Sequence, residues 1–423
     1  MAARKPLNIL IVTQYFWPEN MRINDLTEGM VSKGHQVTVL TGVPNYPEGH
    51  VFPDFCENPE KFSTYKGATV VRVPICSRGK CSLTLGLNYL SFAISASFFG
   101  AYKLRKKHFD VIFVYAVSPI LAAIPAAIIR CLKKTPAFVW ILDLWPETLG
   151  AVGVLKSKRA LDMVGKCVSW IYNHVDYLLI SSRTFADSVH RYCTKAIEPE
   201  RVIYFPSWAE DVFSESDDCL NASSDLLVKD ESIFTIVFAG NVGEAQDFPT
   251  ILNAVKFLKN NGLKIRLVIA GDGRASAWLA ENIRAHGLRN VVLLLGRHPL
   301  EKMPALFAIA DALLVSLKTN EVFAKTIPGK VQAYLASGRP IIAMLDGEGA
   351  RIIEQAQAGL VCAAGDAEGL ATVVQAMASM PRDERERMGV AGKQFYGKNF
   401  SKQFLFEYLE KLFRNAKLRK KIA

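Results

Sequence analysis

The pattern in this chain best suited to chemistry on an anion is a lysine just inside a helix start, behind a proline and a glycine. Thr326-Ile327-Pro328-Gly329-Lys330 lies between two hydrophobic runs, 312–317 and 340–344. Thr326 is expected as the helix N-cap and Pro328 in the first turn, with Lys330 the one charge present. A cation there opposes the helix dipole unless an anion neutralises both. Exposed backbone N–H groups and one lysine together suit a diphosphate. The plain alternative is a capped helix with a solvated lysine.

Three glycine turns follow other hydrophobic runs: Gly240-Asn241-Val242-Gly243, Gly271-Asp272-Gly273-Arg274 and Gly296-Arg297. Glycine lets backbone amides approach an anion closely, although each turn alone also fits ordinary steric need. None matches the full dinucleotide fingerprint or the Walker lysine pattern, which argues against dehydrogenases and P-loop NTPases. Earlier in the chain, the loop 13–24 is stiffened by Trp17 and Pro18 and offers Glu19, Asn20, Arg22 and Asn24 to a second reactant. The stretch 141–149 sets Asp143 and Glu147 four apart. Asp143, beside Trp145, is the stronger catalytic candidate; Glu147 also fits a helix start at Pro146.

Alternating strand and helix patterns must position these groups. All-apolar runs at 7–13, 36–41, 111–114, 138–142 and 177–180 read as parallel strands buried on both faces, with a helix at 24–33 ended by Gly34. The pattern restarts with strands at 234–238, 265–269, 291–295, 312–317 and 340–344 and a helix at 249–260. Two doubly wound lobes facing a cleft are expected, with ligands beyond the carboxyl ends of the strands. The boundaries expected are 1–205 for the first lobe and 206–401 for the second, with the segment 402–423 packing back on the first. The polar stretch 210–231, with Asp217-Asp218, reads as a linker and solvated loop.

A chain of 423 residues, half of them hydrophobic, is long enough for two such cores. Eight scattered cysteines, without a Cys-x-x-Cys pair or histidines at ligand spacing, point to a reducing compartment and away from structural zinc. The start of the chain fits a buried first strand better than a signal peptide, so a cytoplasmic location is expected. Residues 1–205 hold 24 Lys and Arg against 15 Asp and Glu, net +9, whereas 206–401 hold 20 against 23, net −3. The tail 402–423 holds 7 against 2, net +5. Lys103, Arg105, Lys106 and Lys107 follow an apolar stretch, 83–102, a combination that suits an anionic membrane surface better than a nucleic-acid groove. That stretch is long enough to span a bilayer, but its serines, glycines and asparagine leave three readings open: a span, an interfacial helix, or a helix of the fold.

The order of GHQVTVLT (34–41), DLWPE (143–147), FAGNVGEAQDF (238–248), AGDG (270–273), GRHP (296–299) and IPGKVQAYLASGRP (327–340) resembles glycosyltransferase family 4, which has the GT-B fold. YFWPEN, GVPNYP (42–47) and TIPGK are similar to the bacterial fucosamine-type transferases of O-antigen and capsule assembly. The resemblance implies a retaining, metal-independent transfer from a nucleoside-diphosphate sugar, UDP-linked, to a glycan on a polyprenyl diphosphate, with no bound cofactor. For that chemistry, the turns and loops above are expected to place donor contacts at Asn241, Gly243, Gln246, Gly271, Gly273, Gly296, Arg297, Thr326, Ile327, Pro328 and Gln332, with Asp143, Glu147 and Lys330 catalytic and Glu19, Asn20, Arg22 and Asn24 toward the acceptor. The family's acidic pair is absent: Lys325 and Ala333 stand at those positions. Two rivals remain, a nucleotide-sugar 2-epimerase of the same fold and a non-catalytic assembly partner.

Overall fold

The structure is a computed structural model that describes every residue except 1–4, 80, 152, 156, 195–198, 215–225 and 423. The Asp217-Asp218 loop lies outside the described residues. The chain divides into two compact units, one of residues 1–205 with 406–423 and one of residues 206–405.

The first unit holds an eight-stranded sheet: β1 (Asn8–Val12), β2 (Gln36–Gly42), β3 (Thr64–Tyr65), β4 (Ala68–Val73), β5 (Val111–Ala116), β6 (Ala137–Ile141), β7 (Tyr177–Ile180) and β8 (Val202–Tyr204). Their order is β3-β4-β2-β1-β5-β6-β7-β8, and every pairing is parallel except the β3–β4 hairpin. β1, β5 and β6 are apolar runs with almost every residue buried, as strands covered by helices on both faces must be.

The second unit holds β9 (Phe234–Ala239), β10 (Ile265–Ala270), β11 (Val292–Gly296), β12 (Ala312–Ser316), β13 (Ile341–Met344) and β14 (Gly359–Cys362). These run wholly parallel in the order β11-β10-β9-β12-β13-β14. Both sheets therefore reverse their winding direction beside their first strand, between β1 and β5 and between β9 and β12. In doubly wound sheets, the strand ends at such a reversal form the ligand crevice.

β3, β4, β8 and β14 have no counterpart in the sequence reading. They are short or half-buried strands toward the sheet margins and lack the unbroken apolar run that marks a central strand. The helix Lys402–Ile422 crosses the division between the units, and its buried residues Phe406, Leu409 and Phe413 belong to the first. Phe413 packs edge-on against Phe113 and Phe138 of that sheet.

Candidate functional site

In the second unit, the turns after β9, β10 and β11 are laced together by their own backbones. Gly240 donates to Ala270 O, Val242 to Asp272 O, and Gly271 to Gly296 O. The contact between the first two is so close that a Cβ on Gly271 would lie 1.8 Å from the Gly240 carbonyl oxygen, and φ there is +152°. This corrects part of the sequence reading. The Gly271 amide is engaged by Gly296, and that of Gly273 by the Asp272 carboxylate and Ser276 Oγ, so neither is presented to a ligand. The amides of Asn241 and Gly243 have no partner among the described residues, and the Asn241 side chain lies over Gly243 and Gly273. Arg297 is exposed on the adjoining turn.

Lys330 reaches this turn from across the β9–β12 reversal. Its Nζ donates to Gln246 Oε1 at 2.7 Å and lies 4.6 Å from the Phe238 ring centroid, and a Cβ on Gly240 would come within 2.8 Å of its Cε. It has no carboxylate partner among the described residues. Burial pulls the ammonium down to about 8. Gln246 is itself fixed: its carbonyl accepts from Ser316 Oγ at the end of β12. A half-buried cation whose nearest partner is a neutral amide is left poised for an anion.

The helix carrying this lysine, Gly329–Ser337, starts differently from the sequence expectation. Pro328 occupies the N-cap position, without a side-chain cap bond. Thr326 instead closes the preceding helix Glu321–Lys325, its Oγ donating to Phe323 O. The proline fixes the backbone at the helix entry, so no side-chain cap obstructs the first-turn N–H groups. Ile327 is half-buried against the apolar core of the unit. Gln332, one turn on, is almost fully buried with Oε1 unpartnered.

In the first unit, the loop after β1 is braced rather than open. Glu19 Oε2 accepts from Phe16 N at 2.8 Å, and Oε1 accepts from Asn45 N at 2.9 Å and Tyr46 N at 2.8 Å. Asn24 accepts from Trp17 N and donates to Glu19 O. Both side chains are buried, so Glu19 and Asn24 clasp the loop to its neighbour after β2 instead of reaching an acceptor. Asn20 stays exposed, and Arg22 is half-buried.

Asp143 lies beyond the end of β6, and burial pushes its carboxyl up to about 6. Its charge bears on the Tyr89 and Tyr115 phenols, whereas that of Glu147 bears on Tyr172 and Tyr192. The two carboxylates therefore serve different surroundings. Glu147 lines a cavity of about 430 Å³ with Lys166 and Arg191, and pairing it with Asp143 in one catalytic group is corrected. Their four-residue spacing would place them on one face only within a helix, and the helix begins at Glu147.

Two family models match the chain: a glycosyl transferase 4-like domain over residues 20–208 and a glycosyl transferases group 1 domain over 223–395. The chain is built of two glycosyltransferase domains. The putative colanic acid biosynthesis glycosyl transferase WcaI of Escherichia coli is 27% identical over 327 residues, 74% of this chain and 76% of that one. Among solved structures, HepE from Anabaena in complex with UDP and glucose superposes with a TM-score of 0.66 at 13% identity, covering 96% of this chain and 99% of that one. WaaG, a glycosyltransferase involved in lipopolysaccharide biosynthesis, gives 0.65 at 13% identity, covering 96% and 98%. At such identities the likeness is one of fold, the GT-B class.

Several side-chain contacts near the candidate residues were invisible in sequence. Arg78 donates to Tyr15 Oη at 2.9 Å and lies over the Tyr46 ring, and Gln14 donates to Asn88 Oδ1 at 2.7 Å. Arg72, which burial lowers to about 10, holds the carbonyls of Gly42 and Trp17. Near Thr326 and Pro328, the buried Glu348 is held by Arg351. No local motif marks these residues; within each unit, parallel strands bring loops distant in sequence to the same end of that unit's own sheet.

Proposed function

We propose that this glycosyltransferase moves a sugar from a UDP-linked donor, with retention, to a glycan on a polyprenyl diphosphate in surface-polysaccharide synthesis. The observation that carries the reading is Lys330, a half-buried cation without an anionic partner among the described residues, at the strand-order reversal of the second unit. The donor diphosphate meets Lys330, the amides of Asn241 and Gly243 and the first turn of the helix Gly329–Ser337. As the C1–O bond to the diphosphate breaks, charge grows on the leaving oxygen, and pre-placed donors lower the barrier most at that moment. The acceptor oxygen bonds to C1 on the same face, and its proton passes to the departing diphosphate. Asp143 orients the acceptor hydroxyl. Neutralisation is assigned to the protein's own groups, without a metal or other cofactor.

The donor sugar proposed is an N-acetylated deoxyhexosamine, on the likeness of 326–330 (TIPGK) and the early loops 15–20 and 42–47 to fucosamine-type transferases. A cytoplasmic site of action is proposed as well, in keeping with seven free cysteines among the described residues. Thermal unfolding against a panel of nucleoside diphosphates tests the donor assignment, since a ligand bound only by the folded form raises the melting temperature. UDP is expected to raise it and Lys330→Ala to remove the effect; a panel without any shift refutes the site. Release of an epimerised sugar without acceptor would favour the epimerase rival.

A further inference from the structure

The helical segment of the first unit that runs from Ser82–Ser95 through a wider turn at Ala96–Gly100 to Ala101–Lys103 has two apolar sides. One is covered: Phe92 and Ala96 sit in the core of the unit, and a Cβ on Gly100 would come within 2.8 Å of Leu40 on β2. The other faces outward. Leu83 at 75% exposure, Leu87, Leu90, Ile94, Phe98 at 72% and Tyr102 recur every three or four residues and form one stripe. The wide turn brings Phe99 out as well, so the stripe broadens toward its end. At about 1.5 Å per residue the stripe is roughly 30 Å long. Scattered single apolar residues are normal on a surface, but an aligned set of this length is not.

Charge selects the occupant. Lys103, Arg105, Lys106 and Lys107 follow the stripe, and Lys133 Nζ donates to the carbonyls of Arg105 and Lys107. That bond joins the end of the helix Ala123–Lys133, with Lys134 and the 71% exposed Leu132, to the same patch. Apart from Asp110, which is buried against Lys417, no acidic residue occurs from Lys61 to Leu142. A protein partner or second copy would have to present an equally large apolar strip edged with acid. A bilayer with anionic headgroups offers both over any length.

We infer that this helix is a membrane-docking face that lies flat in the headgroup region of an anionic bilayer, its apolar stripe among the acyl chains and its basic collar on the phosphates. The helix is long and apolar enough to cross a bilayer, but its inner side is held by the sheet. The inference stands apart from the transferase reading, because adsorption requires no turnover.

The test is co-sedimentation of the full chain with vesicles of phosphatidylcholine alone and of phosphatidylcholine with 30% phosphatidylglycerol, the second composition chosen to about match an anionic leaflet. Wild type is expected to bind the anionic vesicles at least about tenfold more tightly, and to leave them in high salt or carbonate. Leu87→Ser with Ile94→Ser and Phe98→Ser is expected to abolish binding, and Lys106→Glu with Lys107→Glu to erase the preference for anionic lipid. All these positions are exposed, and unchanged circular dichroism and melting confirm that the variants fold. Equal binding by wild type and the triple-serine variant would overturn the inference. So would resistance to carbonate extraction, or a dimer in solution that the serine variant converts to monomer.

Discussion

Lys330 and Asp143 are both displaced from their ordinary titration ranges by burial, with opposite consequences. The lysine is lowered to about 8, so the folded protein favours its neutral form; the associated stability is present above 10.5 and lost as pH falls through 8. A bound diphosphate restores the charge. UDP binding should therefore take up a proton above pH 8, with affinity falling up to about tenfold per pH unit, measurable by calorimetry in buffers of differing ionisation heat. Lys330→Ala should lower kcat/KM by about 10²–10³ and flatten that dependence. Asp143 is raised to about 6, so its contribution to stability is present below 3.8 and lost as pH rises through 6. If it orients the acceptor as an anion, kcat/KM should show an acid limb near pH 6 that Asp143→Asn removes; a limb that persists in the variant assigns it elsewhere.

At the scale of elements, each unit has its own loop assembly around the candidate residues, and each assembly has a position that a small change would break. Glu19 satisfies three backbone N–H groups from two loops. Glu19→Ala leaves those donors buried and should destabilise the protein by about 3 kcal/mol in urea unfolding, whereas Glu19→Gln, which keeps an acceptor oxygen, should lose less. Gly271→Ala drives a Cβ into the Gly240 carbonyl, at a φ that L residues rarely adopt. Its expected outcome is a lowered melting temperature and UDP binding weakened at least about tenfold, since the laced turns support Asn241 and Gly243. These braces could not be read from their segments. A carboxylate that clasps a loop and one that binds a reactant look alike in sequence, and only the partners at 45 and 46 distinguish them.

On the scale of the whole molecule, each glycosyltransferase domain repeats one winding plan, and the first needs the chain's last helix. Phe413 fills a space against Phe113 and Phe138, so Phe413→Ala should destabilise the first unit by about 3–5 kcal/mol, seen as a lowered urea midpoint. Such an addition from the far end of the chain has only an indirect mark in sequence, the basic charge that the tail shares with the first 205 residues.

Sequence by itself determined the parallel α/β character, the restart of the pattern near 234 and the lysine behind Pro328-Gly329, because each is written in local periodicity or turn chemistry. Tertiary structure alone decided which amides stay open, that Gln246 rather than a carboxylate receives Lys330, and that Asp143 and Glu147 part company. Those outcomes depend on loops brought together from distant strands, and the hydrogen-bonding capacity of a backbone group is settled only when every competitor for it is in place.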